Sequence, residues 1–111
     1  HRITPPKWII GIFVATHVTG VVITSSLGLR PIHLNAIVNA DSIIGDNSII
    51  NTKALIEHDC IISNHCHIST NAIVNGNVKI ESNCFIGSSA TIRESITIKK
   101  NSFIRAGSLA K

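Results

Sequence analysis

Three histidines, His58, His65 and His67, fall within ten residues, in the stretches Ile56-Glu-His-Asp-Cys60 and Asn64-His-Cys-His67. Histidine clusters bind zinc, so a metal site is the first chemistry to weigh. Proton transfer is the second, because histidine is the side chain whose ordinary pKa lies near neutrality. Asp59 follows His58 directly and Glu57 precedes it. A carboxylate bonded to one ring nitrogen fixes the tautomer and makes the other nitrogen a better base. The plainest alternative is three solvated histidines at turns. Residue type and spacing leave all three readings open.

The scaffold that must position these side chains has a fixed beat. Ile or Val returns every six positions: Ile32, Val38, Ile44, Ile50, Ile56, Ile62, Ile68, Val74, Ile80, Ile86, Ile92, Ile98 and Ile104. Four residues after each comes a second set, small except at Val78 and Ile96: Ala36, Ser42, Ser48, Ala54, Cys60, Cys66, Ala72, Cys84, Ala90, Ser102 and Ser108. Self-similarity at a period of six predicts a parallel β-helix. Each repeat supplies a short strand and a turn. Three repeats close a triangular coil, and the next coil stacks about 4.8 Å above it. The large aliphatic fills the interior, and the small residue sits where a corner leaves little room. Asn recurs in the turns, at Asn35, Asn47, Asn71, Asn77, Asn83 and Asn101, because it tolerates the left-handed backbone that tight corners need.

The last place of each repeat points outward and reads Ile37, Ile43, Ile49, Leu55, Ile61, His67, Ile73, Lys79, Phe85, Thr91, Thr97, Phe103, Leu109. A face this apolar is too large to leave in water. It predicts partner subunits, and a cyclic homotrimer of triangular prisms suits the geometry. Cys60, Cys66 and Cys84 all take the small inward place, and Cys66 and Cys84 are spaced to stack in one column. Free cysteine there acts as a small hydrophobe, and an odd count fits a reducing cytoplasm.

With 111 residues the chain makes one domain. It is 44% hydrophobic but only 4% aromatic, a balance that suits stacked aliphatics better than a globular core. The net charge is +4, with Arg93, Lys99, Lys100, Arg105 and Lys111 near the C-terminus. Phe103 is the one aromatic among them, and no aromatic-plus-basic stretch suggests a nucleic-acid surface, so the readings are a small anionic ligand or a solvated end coil. Residues 1–31 do not share the beat. Residues 8–27 hold no Asp, Glu, Lys or Arg, which raises a membrane span. His17, two glycines and heavy β-branching favour instead a strand and connector from a preceding domain. Gly28 and Pro31 then punctuate the start of the repeat. The chain opens on His1 and stops in mid-pattern at Lys111, as a fragment would.

The beat resembles the left-handed parallel β-helix of the hexapeptide-repeat acyltransferases, and the expected hand comes from that resemblance. Within that fold, the γ-class carbonic anhydrases place metal-binding histidines at subunit contacts, but the separations of seven and two found here do not match theirs. The stretch Asn51-Thr-Lys-Ala-Leu-Ile-Glu-His-Asp-Cys-Ile-Ile-Ser-Asn-His-Cys-His-Ile-Ser69 resembles the signature of the sialic-acid O-acetyltransferase (NeuD) and bacillosamine-type N-acetyltransferase (PglD) family. Gly76-Asn-Val-Lys-Ile and Cys84-Phe-Ile-Gly87 continue the likeness, which covers about residues 31–109.

That resemblance implies acetyl transfer from acetyl-CoA to an amino or hydroxyl group of a sugar or nucleotide sugar, in a cytoplasmic homotrimer. His58 would be the general base and Asp59 the acid that strengthens it. His67, Gly76, Ser88 and Ala106 would line the acetyl-CoA groove, and no metal is expected. Residues 1–31 would be the remnant of a nucleotide-sugar-binding domain, and residues 32–111 the catalytic β-helix. Two departures stand out: Arg105-Ala106-Gly107 where a Gly-Ala-Gly turn is usual, and Ser69-Thr-Asn71 where Pro-Gly is common. The alternative from another class is a β-helix that only trimerises a larger assembly.

Overall fold

A computed structural model describes residues 32–111, together with the backbone of residues 17–18 and 22–23. Every regular element in it is a two-residue strand, and each strand pairs in parallel with the strand one coil above. The strands fall into three sheets. The first face carries His17–Val18, Ile37–Val38, Leu55–Ile56, Ile73–Val74, Thr91–Ile92 and Leu109–Ala110. The second carries Val22–Ile23, Ile43–Ile44, Ile61–Ile62, Lys79–Ile80 and Thr97–Ile98. The third carries Ile49–Ile50, His67–Ile68, Phe85–Ile86 and Phe103–Ile104. The result is a β-solenoid of about four turns, all strand among the described residues. It is the left-handed parallel β-helix of hexapeptide repeats.

The sequence pattern explains each part of a coil. The repeating Ile or Val turns inward and is wholly buried from Ile32 to Ile92, loosening only in the last coil at Ile98 and Ile104. Burying each such side chain is worth about 1.5–3 kcal/mol. The fourth residue of every repeat bends the chain through positive φ: twelve non-glycine residues, from Asn35 to Asn101, have φ between 55° and 64°, and Gly107 has 71°. All six turn asparagines are among them. So are Lys53, Ser89 and Ser95, where residue type gives no signal and the stacked coils impose the conformation. From Lys53 on, each such turn donates its N–H to the turn one coil below, as Asn71 does to Thr52 O at 3.0 Å.

The small inward places behave as expected. All three cysteines are unpaired and buried, and Cys66 and Cys84 are neighbours in one column. Burial pushes the thiols of Cys60 and Cys66 above their usual pKa. They remain protonated donors, each giving a hydrogen bond of 3.1 Å to a carbonyl of the next coil.

The segment before Ile32 contributes to the solenoid. His17–Val18 pairs with Ile37–Val38, and Val22–Ile23 with Ile43–Ile44, so two faces gain a rung ahead of the first hexapeptide. The rest of the weighed connector or span lies outside the described residues, and no helix among the described residues is long and apolar enough to cross a membrane.

Candidate active site

The first and second faces meet at a corner where the turns 39–42, 57–60, 75–78 and 93–96 lie one above another. At equivalent places in these turns stand Ala40, His58, Gly76 and Glu94. The backbone fixes them in a ladder: Asp59 N–H donates to Ala40 O at 3.0 Å, Asn77 N–H to His58 O at 2.9 Å, and Ser95 N–H to Gly76 O at 2.9 Å. Beneath His58 the turn is pinned from inside. Ser42 Oγ donates to Glu57 O at 2.8 Å and accepts the Cys60 N–H at 3.1 Å. Cys60 Sγ in turn donates to Asn75 O at 3.1 Å.

On this corner His58 and Asp59 form a dyad, with His58 Nδ1 2.9 Å from Asp59 Oδ2. Asp59 occupies the left-handed turn position, with φ 60°, and that bend carries its carboxylate beside the preceding ring. A carboxylate accepts, so Nδ1 carries the proton and Nε2 is left as the free basic nitrogen. The ring lies over Gly76. A methyl group added there would stand 2.9 Å from Cε1 and 3.0 Å from Nε2. His58 is 64% exposed and faces an open groove of about 420 Å³ lined by Glu57, Asn75, Gly76, Asn77, Glu94 and Ser95. Glu57 is held by Asn39 Nδ2, which donates to its Oε1 at 3.0 Å.

Other candidate residues lie elsewhere on the chain. His67 is on the third face, across the prism from the first corner. Asn51 Oδ1 accepts the Thr52 N–H at 2.7 Å, which turns the Asn51 amide so that Nδ2 donates to His67 Nε2 at 3.4 Å. The tautomer is thereby set with the proton on Nδ1. Partial burial, and to a lesser degree the charge of His33, hold the His67 pKa below its usual value, so the ring is neutral at pH 7. It begins an aromatic ladder along the face, with ring centres 5.2 Å from His67 to Phe85 and 5.1 Å from Phe85 to Phe103.

Ser88 and Ala106 stack at the corner between the third and first faces, where Gly107 N–H donates to Ser88 O at 2.9 Å. A side chain at Gly87 would strike the Ala106 backbone. His65 stands at the remaining corner, its Nδ1 2.9 Å from Asn47 Nδ2, as one rung of a side-chain ladder. The structure therefore brings His58, Asp59 and Gly76 together and sets His67, Ser88 and Ala106 apart from them. Among the described residues no three His, Cys, Asp or Glu side chains gather as a metal ion would require. Residue type alone did not single out Glu94. Adding the coil length of eighteen to His58 twice reaches it directly.

Comparison with known proteins places these corners in context. Residues 59–94 and 77–109 match a family model, Bacterial transferase hexapeptide (six repeats). No curated protein matches the chain. Among solved structures, the chain resembles an H141N mutant of perosamine N-acetyltransferase from Caulobacter crescentus, in complex with CoA and GDP-perosamine. The TM-score is 0.68 at 26% identity, over 89% of this chain and 50% of that one. It also resembles the acetyltransferase domain of PglB from Neisseria gonorrhoeae FA1090 in complex with acetyl coenzyme A. Here the TM-score is 0.64 at 27% identity, over 86% of this chain and 45% of that one. The chain thus spans about half the length of the structures it matches.

Proposed function

We propose that this chain transfers an acetyl group from acetyl-CoA to an amino or hydroxyl group of a nucleotide-linked sugar, with His58 as general base. The observation that carries the reading is the His58–Asp59 dyad at 2.9 Å, its Nε2 standing free over Gly76 in an open groove. Solved structures of similar fold bind CoA, acetyl-CoA and an amino-sugar nucleotide, which supports the same ligand classes here.

The chemistry follows from the dyad. The acceptor nitrogen or oxygen attacks the thioester carbonyl while His58 Nε2 takes its proton. Asp59 offsets the charge that forms on the ring. The tetrahedral oxyanion needs a donor, and the neutral His67 offers its Nδ1–H. As the C–S bond breaks, the proton on Nε2 passes to the departing sulfur, leaving an acetylated acceptor and free CoA.

His58 and His67 occupy opposite sides of one prism, so this mechanism requires two copies of the chain, the corner of one set against the third face of the next. A homotrimer provides that contact three times. Exposed Ile43 and Ile61 on the second face supply apolar surface for it. The three unpaired cysteines support a reducing cytoplasm as the place of action.

Titration calorimetry with acetyl-CoA tests the reading against a scaffold role. Binding heat with wild-type chain, and acetyl transfer lost in His58→Ala, is the expected result. No binding and no transfer would leave the trimerising scaffold as the better account.

A further inference from the structure

Glu94 is the one ionisable side chain on the first corner that faces His58 across the gap left by Gly76. The turn order fixes this: His58, then Gly76, then Glu94, each one coil above the last, so the two backbones lie about 10 Å apart along the axis, and the His58 ring, leaning over the intervening Gly76, takes up about half of that gap. The Nε2 of His58 overhangs Gly76, and Glu94 closes the far side of the same groove. Its carboxylate has no described ion-pair partner; the His58–Asp59 contact is the ion pair among the described residues. Glu57, the other carboxylate in the lining, is already engaged by Asn39. The space next to the base is thus bounded by the Glu94 carboxylate, which has no partner among the described residues, on one side and by His58 Nε2 on the other.

Resting on the acetyl-transfer reading above, we infer that Glu94 selects the acceptor: it receives the protonated amine of an amino sugar beside His58 and disfavours a plain hydroxyl at the same place. An ammonium group has three donors and no acceptor. It can satisfy Glu94 and His58 Nε2 at once, and a charge-assisted bond is roughly twice as strong as a neutral one. A hydroxyl has a single donor, which His58 claims, and its lone pairs face a carboxylate that cannot donate. The lining also disfavours phosphate, so the diphosphate of a nucleotide sugar has to lie outside the groove with only the sugar inside. One proton leaves the bound ammonium for water through the open mouth of the groove. The free amine then attacks, and its second proton follows the His58 route to sulfur.

The test uses the whole chain and a panel of UDP- and GDP-linked amino sugars, GDP-perosamine among them, each beside the analogue with a hydroxyl in place of the amine. Glu94 is exposed and its side chain makes no hydrogen bond or ion pair among the described residues, so Glu94→Gln is expected to fold as wild type. With an amino acceptor, Glu94→Gln should raise KM about tenfold while kcat changes less than threefold, and the KM for acetyl-CoA should not move. With the hydroxyl analogue it should leave KM unchanged or lower it, and Glu94→Asp should restore part of the preference. Equal amine-to-hydroxyl ratios of kcat/KM in wild type and Glu94→Gln would overturn the inference and leave acetyl transfer standing. Failure of wild type to acetylate any member of the panel would overturn both.

Discussion

The His58 ring rests over Gly76 so closely that a β-carbon at position 76 would come within 2.9 Å of Cε1. The missing side chain of one coil is therefore what sets the ring of the coil below. Gly76 has an ordinary backbone conformation, so alanine is sterically permitted there, and the atom it meets is the far end of an exposed side chain. Gly76→Ala should leave thermal stability within about 1 kcal/mol of wild type but swing Nε2 off its line. A misplacement near 1 Å can cost about 10² in rate. Gly87→Ala is the contrasting control, because there the clash is with the Ala106 backbone; it should lower the melting temperature. Wild-type kcat in Gly76→Ala would mean the ring position is not set by the coil above.

Asp59 combines two duties, bending the turn at φ 60° and accepting from His58 Nδ1 at 2.9 Å. Asparagine tolerates the same bend, so Asp59→Asn removes the charge without straining the corner. The amide can present its NH₂ to Nδ1 and so favour the wrong tautomer. Turnover should fall by about 10²–10⁴ with an unchanged melting temperature. Asp59→Ala should add a loss of stability, because alanine resists positive φ. A fully active Asp59→Asn variant would detach the carboxylate from the chemistry.

The repeat was legible in the sequence because one physical constraint recurs thirteen times: a strand of two residues has one inward side chain, and it must be aliphatic. The pairing of His58 with Asp59 was legible for a similar reason, since adjacent residues in a tight turn need no long-range information. Glu94 was not. It resembles any charged residue on a solvated corner, and its relation to His58 emerges only when the coil length is applied to the turns. The aromatic ladder from His67 through Phe85 to Phe103 was hidden in the same way. The two rungs supplied by His17–Val18 and Val22–Ile23 escaped because they precede the beat and pair at spacings of 20 and 21 residues, off the period of 18.

His67 gives the fold a pH signature. Its pKa is lowered by burial first and by the charge of His33 second, so the folded chain binds this proton less readily than the unfolded chain does. Stability is then fully present above the usual value of about 6.5 and declines as pH falls toward the lowered value. His67→Phe, which extends the aromatic ladder, should flatten that decline. Thermal melts between pH 5 and 7, compared as wild type minus variant, check the sign. A wild-type chain that gains stability relative to the variant on acidification would contradict it.

The second face offers a test of assembly. Ile43 and Ile61 are paired neighbours, 40% and 42% exposed. Ile61 is followed in the same column by Lys79, so an aspartate at 61 would find a cation one rung away, and Ile43 is the cleaner position. Ile43→Asp leaves the core untouched and should dissociate the proposed trimer, because it would set a charge in an apolar contact with no described cation beside it. Sedimentation should show monomers with an unchanged circular dichroism spectrum. An intact trimer would move the interface off this face.

The last prediction concerns where the active site is assembled. His58 projects from the corner between the first and second faces, and His67 from the third face. The buried layer of Ile50, Ile56, Ile62 and Ile68, packed round one coil, fills the space between. A single chain therefore cannot present both histidines to one acetyl group, whereas the corner of one copy and the third face of the next can. His58→Ala and His67→Ala should each be inactive alone. Mixed in equal amounts and allowed to exchange subunits, they should recover about a quarter of wild-type activity, because in a cyclic trimer about a quarter of the interfaces pair an intact His58 with an intact His67. Exchange verified by mass spectrometry with no return of activity would show that the two histidines do not share a site.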